Sequence, residues 1–495
     1  MDAHAASPGR LSGPLWRQVL ALALPALAQQ YLHLVVQLSD QFLAGRFELP
    51  DPQQRTGYLS ALTTANYLYW FVSSYTVLVS VGSAALVARF VGANDWVMAK
   101  HATGQAVLLA VVFGVLGAVA ALVGLPDLID AIHLKGDAAR VCVEFLTPLA
   151  ALLAFQITES ACAACLAGAG DTRTGLKVLG LVAVLNVPLA LILCFGSRPW
   201  PELGVVGIRL GTHLSNVVGV WQGMGFVGIA LGTGLSHVIG CVTLLVILAR
   251  GKSGLKLHFW NLVPDFPLIR RLLWVSVPAA VDSLSAAFCQ LWFLSIVNRL
   301  GDTAASAHGI ALRWEALGFL SGAAFGTAAM TLVGQNLGAR EPARAARCGW
   351  VAYAIGGTVM SGMGLLFFLL ARPMFRVFCP DPELQPIVEA GAPALRLIAC
   401  AMPALASQII FTAALRGAGD SRVPVLFSWF GFLGVRIPLA YLLTAPQVDL
   451  GVLGVLPGAD MGLLGAWVAM CTDLWVRGTF FALRFAGGRW KKVEV

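Results

Sequence analysis

Charge is scarce in this sequence: Asp, Glu, Lys and Arg make up 12% of its 495 residues, while 58% are hydrophobic. An ordinary soluble domain is about 25% charged, and a soluble fold could not cover so much apolar surface. Missing too is a phosphate loop. Gly168-Ala-Gly-Asp171 lacks the Lys-Ser/Thr that should follow, so no nucleotide-binding segment is found and an ATP-driven pump is not expected. No His/Cys/Asp cluster has metal-centre spacing and no nucleophile stands beside a base, which argues against a membrane-embedded enzyme and against a bound metal or other cofactor. The 10 cysteines lie mostly in apolar runs and form no disulfide framework. Cys162 and Cys165 make a CxxC inside an apolar helix, where small soft side chains serve packing. Lys and Arg exceed Asp and Glu by 33 to 25 without a basic stripe among aromatics, so no nucleic-acid partner is expected and the excess is assigned to membrane topology.

Long apolar runs, by contrast, are plentiful. About 20 apolar residues cross a hydrocarbon core, and such runs begin near Val19, Tyr58, Thr103, Val141, Gly175 and Gly225, then near Leu272, Ile310, Trp350, Ile387, Val425 and Leu463. Open sheets cannot satisfy their backbone in lipid. The expected fold is therefore an all-α membrane protein of about twelve transmembrane helices. Arg10 and Arg17 precede the first run and Ala26-Leu27-Ala28 resembles a signal-peptidase site, yet the apolar stretch continues to Gly45 and is read as an uncleaved first helix. Lys and Arg collect on alternate loops: Arg89 and Lys100, Arg173 and Lys177, Arg250 to Arg271, Arg340 to Arg347, Arg416 and Arg422, and a group from Arg477 to Lys492. The positive-inside rule makes that side cytoplasmic, with both termini on it, in a bacterial inner (plasma) membrane.

Two internal matches divide the chain. Leu166-Ala-Gly-Ala-Gly-Asp171-Thr-Arg173 returns as Leu415-Arg-Gly-Ala-Gly-Asp420-Ser-Arg422, and Leu86-Val-Ala-Arg-Phe-Val-Gly92-Ala93 returns as Leu332-Val-Gly-Gln-Asn-Leu-Gly338-Ala339. An even number of helices separates the copies, so the repeat is parallel. The expected organisation is a cytoplasmic segment 1–18, an N-lobe 19–250 of six helices, a cytoplasmic linker 251–271, a C-lobe 272–485 of six helices, and a basic tail 486–495. A smaller duplication, Gly204 to Ser215 echoed by Gly225 to Ser236, reads either as an interfacial or re-entrant piece before helix six or as one extra helix.

Ionisable residues inside membrane helices are costly, which makes each a candidate site. Five acids qualify: Asp40, Glu159, Asp282, Glu315 and Asp473. Asp40 ranks first, because it lies well inside helix one, and Gln29, His33, Gln37 and Asp40 share one helical stripe. It is expected either to exchange a cation with an internal cavity or to be a buried hydrogen-bonding residue. Tyr67 and its neighbours Tyr58, Tyr69, Trp70, Phe71 and Tyr75 either line a pocket or anchor helix two at the interface. Glu315 and Arg313 lie two positions apart on different faces, and Arg396 and Arg436 are alternative partners for a structural ion pair. Glu159, Asp282 and Asp473 rank lower, the last two nearer the membrane boundary.

At these residues the chain resembles the multidrug and toxic compound extrusion (MATE) family of cation-coupled antiporters, over nearly its whole length. The resemblance rests on Val333-Gly-Gln-Asn-Leu-Gly-Ala339, Ala311-Leu-Arg313-Trp-Glu315-Ala-Leu, both Gly-Asp-x-Arg loops, Arg436-Ile-Pro438-Leu-Ala-Tyr441 and Leu38-Ser-Asp40-Gln-Phe-Leu-Ala-Gly45. It implies two six-helix lobes around a central cavity and a monomer in membrane lipids. It also implies that small amphiphilic, often cationic organic substrates leave in exchange for protons or sodium. Asp40 would be the coupling acid, holding a proton or sodium, and Asn186 the fifth-helix member of its site. Ala190 stands where some members have an Asp, and Ser285 and Ala286 lie near the place of the seventh-helix Glu, so a C-lobe sodium site does not carry over. The same superfamily architecture also serves lipid-linked sugar flippases, and Arg313, Arg396 and Arg436 would suit an anionic headgroup; a flippase for a lipid-linked anionic substrate is the alternative.

The charge asymmetry predicts that cysteines replacing Lys252 and Lys492 react with a membrane-impermeant maleimide only after permeabilisation. Labelling in intact cells would invert the topology.

Overall fold

A computed structural model describes residues 13–46, 74–131, 136–197, 223–449 and 455–493, with isolated positions at 200, 209, 212, 215 and 216. Tyr58, Tyr67, Tyr69, Trp70, Phe71 and most of the 204–215 copy lie outside the described residues.

The first half contains α1 (Leu15–Arg46), α2 (Val77–Gly92), α3 (Trp96–Ala131), α4 (Asp137–Ala151), α5 (Leu153–Gly168), α6 (Thr172–Phe195) and α7 (Phe226–Ala249). The second contains α8 (Phe266–Asn298), α9 (Asp302–Gly338), α10 (Pro342–Arg376), α11 (Gln385–Gly417), then α12 (Arg422–Trp429), a π-helical turn (Phe430–Arg436) and α13 (Ile437–Thr444) in one span. A hairpin of β1 (Gln447–Asp449) and β2 (Val455–Pro457), antiparallel with Val448 opposite Leu456, precedes α14 (Gly462–Ala486). Among the described residues 10 spans are long and apolar enough to cross a membrane, and α4 with α5, bent by 50° four residues after Pro148, gives 11. α14, whose mean apolarity is lowered by Asp473 and Arg477, completes the all-α set of two six-span lobes.

The repeated sequences occupy equivalent places. Gly170 and Gly419 turn their loops at φ +91° and +84°, conformations open mainly to glycine. The acid that follows each glycine then finds a different partner. Asp171 caps α6 by accepting from Thr174 N at 2.9 Å and also accepts from Ser253 in the segment joining the halves. Burial alone would raise its pKa, but hydrogen bonds from Ser253 and Thr174 and the charge of Lys252 hold it below the ordinary carboxylate value. A depressed pKa means the clasp contributes stability above the usual Asp range and loses it only as pH falls through its own lower pKa. Asp420 instead accepts from Arg484 Nη2 at 2.7 Å, tying its loop to α14.

Each half lends the start of its first helix to the other. Val19, Leu22 and Ala23 of α1 sit in the apolar core of the second half, and Leu268, Leu272 and Val275 of α8 sit in that of the first. The linker at 251–271 divides the chain, but packing crosses that division on both sides.

Where the halves meet, backbone presses on backbone. A Cβ on Gly92 would strike the Gln335 carbonyl, and one on Gly338 the Arg89 carbonyl, two contacts related by the repeat. Arg89 Nη2 donates to Ala418 O at 2.9 Å, and Gln335, its equivalent in the repeat, donates Nε2 to Gly168 O at 2.9 Å, one residue away from the equivalent acceptor. Small residues that let helices approach closely are the main source of helix affinity where lipid removes the hydrophobic driving force. This seal lies at the face that carries the 93–95 and 339–341 turns and the 486–493 end.

Gly92→Val is predicted to force the seal apart, raising the maleimide reactivity of a cysteine at buried Ala88 about tenfold or more. Gly124→Val, with nothing within 4 Å of its Cβ, serves as the silent control.

Candidate functional site

Three helices of the first half build a polar centre. Asn186 Nδ2 on α6 donates to Thr233 Oγ1 on α7 at 3.0 Å, and the Thr233 hydroxyl donates to Asp40 Oδ2 on α1 at 2.7 Å. Asn186 is fully buried. Ser39 Oγ donates to Val36 O at 2.7 Å and lies 3.4 Å from Asn186 Oδ1. The second carboxyl oxygen, Asp40 Oδ1, is buried without a hydrogen-bond partner among the described residues. A bare buried carboxylate oxygen is costly, and a proton or a cation relieves that cost.

One turn along α7, His237 Nδ1 lies 2.7 Å from Glu159 Oε2 of α5, both side chains buried. Half-buried His33 of α1 places its ring 6.4 Å from that of His237. Gln29 Nε2 donates to Thr172 O at 2.9 Å. Three members of the α1 stripe thus face protein, whereas Gln37 is exposed, and the side chain that bonds Asp40 is Thr233 of α7.

Charges in the second half are arranged in the opposite sense. Asp473, wholly buried in α14, is held by Arg436 Nε at 2.9 Å and by Arg477 Nε at 2.6 Å, and Arg436 Nη1 donates to Gln290 at 2.9 Å. Phe432 lies under both guanidinium groups, 5.1 and 4.1 Å from its ring centre. The π-helical turn delivers Arg436 inward, and Gly431 within it leaves room for Asp473 and Arg477. Asp473 is therefore no boundary residue, and Arg477 leaves the basic end group for the interior. Arg416 likewise turns inward, Nη2 at 2.6 Å from Asp282 Oδ2. Glu315 makes no pair with Arg313: its Oε2 is buried and unpartnered among the described residues, while Arg313 is exposed with its guanidinium 5.8 Å from the Phe378 ring centre.

The family model MatE matches this chain twice, over residues 25–192 and 278–442, once on each half. The chain belongs to the MatE family. A probable multidrug resistance protein NorM of Thermotoga maritima is 26% identical over 97% of this chain and 94% of its own length. The probable multidrug resistance protein YoeA of Bacillus subtilis is 24% identical over 90% of each. Two solved structures share the fold with TM-scores of 0.83 at 18% identity, covering 99% of this chain and all of theirs. One is described as an outward-facing multidrug resistance MATE transporter, the other as a Pyrococcus furiosus MOP superfamily transporter whose binding pocket has reversed polarity. Within this MatE fold, three of the residues just described were not singled out from sequence: Thr233, His237 and Gln290. Thr233 and His237 sit four apart in an apolar helix, a spacing that puts both on one face and was there to be read.

Asp473→Asn is predicted to leave two arginines buried beside a neutral group, costing about 3–5 kcal/mol and sharply lowering the yield of monodisperse protein. Unchanged thermal stability would remove the triad from the account of how α8, α13 and α14 are held.

Proposed function

We propose that this MatE protein is a secondary active exporter of amphiphilic cationic organic compounds, driven by protons or sodium ions that bind at Asp40. The observation that carries the reading is the Asp40 centre, a carboxyl group in a membrane lobe with one neutral hydroxyl donor on one oxygen and, among the described residues, no partner on the second. Such a group exchanges its cation when its surroundings change, because burial penalises the ionised form. A substrate cation and a coupling cation held in the same lobe repel each other, so entry of one favours departure of the other. Support for organic substrates comes from relatives named for multidrug resistance along nearly the whole chain.

In this reading the sealed, arginine-rich end faces the cytoplasm, in keeping with the positive-inside rule. The seal is then the inner gate. Ion gradients supply the work and the coupling ion is the only cofactor. The lipid-linked anionic alternative has less support: Arg436 is enclosed with Arg477 around Asp473, and Arg313 and Arg396 are exposed rather than gathered.

Purified protein in vesicles should move ethidium under an imposed proton or sodium gradient, each applied separately, and the effective gradient identifies the ion. Asp40→Asn should insert normally and bind ethidium but lose gradient-driven movement at least tenfold. Wild-type rates in Asp40→Asn would make Asp40 structural.

A further inference from the structure

The buried acid and imidazole behind Asp40 have no part in the scheme above. Glu159 and His237 are 8% and 6% exposed, come from different helices and meet at 2.7 Å. Room for the acid is made by Gly240, where a Cβ would crowd Glu159 Oε1 and Val182. A carboxylate beside Nδ1 fixes the imidazole tautomer with its proton there, which leaves Nε2 as an acceptor.

Position decides what that acceptor can do. His237 follows Thr233, the donor to Asp40, by one helical turn of about 5.4 Å toward the sealed end. His33 lies seven residues before Asp40 on α1, about 10 Å along the same direction. Gln29, one turn further, bonds the first peptide of α6 beside the Asp171 loop. Titratable groups thus descend from Asp40 through His237, Glu159 and His33 toward the gate. The titratable groups facing the pair are His33 and Asp40 from α1, Cys162 from α5 and Cys241 from α7; α6 presents Val182 and the neutral Asn186.

We propose that Glu159 and His237, with His33, form a second proton-binding station in the first half, between Asp40 and the gate. The proposal rests on the proton form of the exporter reading. A proton leaves the Asp40 carboxyl, which becomes carboxylate, and bonds to His237 Nε2, which becomes imidazolium. Glu159 compensates the new charge. Release to His33 or to inward water restores the neutral ring. A substrate cation in the same lobe repels the imidazolium and so promotes that release.

The test uses full-length protein with ethidium as the cation. Glu159→Gln/His237→Gln retains a hydrogen-bonded pair of similar size that does not titrate. It should keep gradient-free ethidium exchange within about twofold and lose pH-gradient-driven movement about tenfold or more. In unbuffered detergent, ethidium binding to Asp40→Asn should still release protons, and the triple variant should release none. Wild-type driven transport in the double variant, equal loss of exchange and driven transport, or proton release abolished by Asp40→Asn alone would each overturn the station and leave the pair structural. A wild-type protein that moves no ethidium under a proton gradient would instead sink the exporter reading.

Discussion

Two glycines pressed against two carbonyls hold the halves of this molecule together. Gly92 meets the Gln335 carbonyl and Gly338 the Arg89 carbonyl, and any side chain at either glycine would separate α2 from α9. Lipid offers no hydrophobic drive between helices, so close backbone approach, dispersion and a few hydrogen bonds must supply the affinity. Such contacts are individually small, so in the proposed scheme the seal can open at modest cost. The reciprocal placement of the α1 and α8 starts in the opposite cores makes those two helices the natural carriers of any movement between halves.

The two lobes share a fold and differ in charge logic. In the first, Asp40 has a hydroxyl donor on one oxygen and, among the described residues, no partner on the other, and the proposed cation exchange rests on that difference. In the second, Asp473 is fixed between Arg436 and Arg477, and loss of Asp473 would strand two buried guanidinium groups. In the proposed scheme one lobe exchanges charge and the other retains it. Glu315, buried with an unpartnered oxygen beside that fixed cluster, is the second-half group whose surroundings most resemble those of Asp40.

Spans and repeat were legible because they rest on length and identity, and the cost of charge in lipid made Asp40 a candidate. Packing partners were not. Counting Lys and Arg toward topology placed Arg416 and Arg477 in loops, since a count cannot tell a solvated guanidinium from one turned inward on a long stem. The spacing of Asp473 and Arg477, one turn apart on α14, carried the pair in plain view. Thr233 and His237 escaped because neither is an acid, although a polar residue in lipid needs a partner as much as a charged one does. The exchange of helix starts between cores has no local signature, because Val19 and Leu268 read as ordinary apolar residues wherever they pack.

In the proposed scheme the state of Asp40 sets whether the glycine seal is closed. Exposed Val97 and Ala343 lie at equivalent places just beyond the two repeated motifs, one on each half. Spin labels on cysteines at these positions report the width of the sealed face. In wild-type protein the distance distribution should shift between a short and a long population as pH is varied, and in Asp40→Asn it should stay in one population across the same range. A distribution that shifts with pH equally in both proteins would contradict the account.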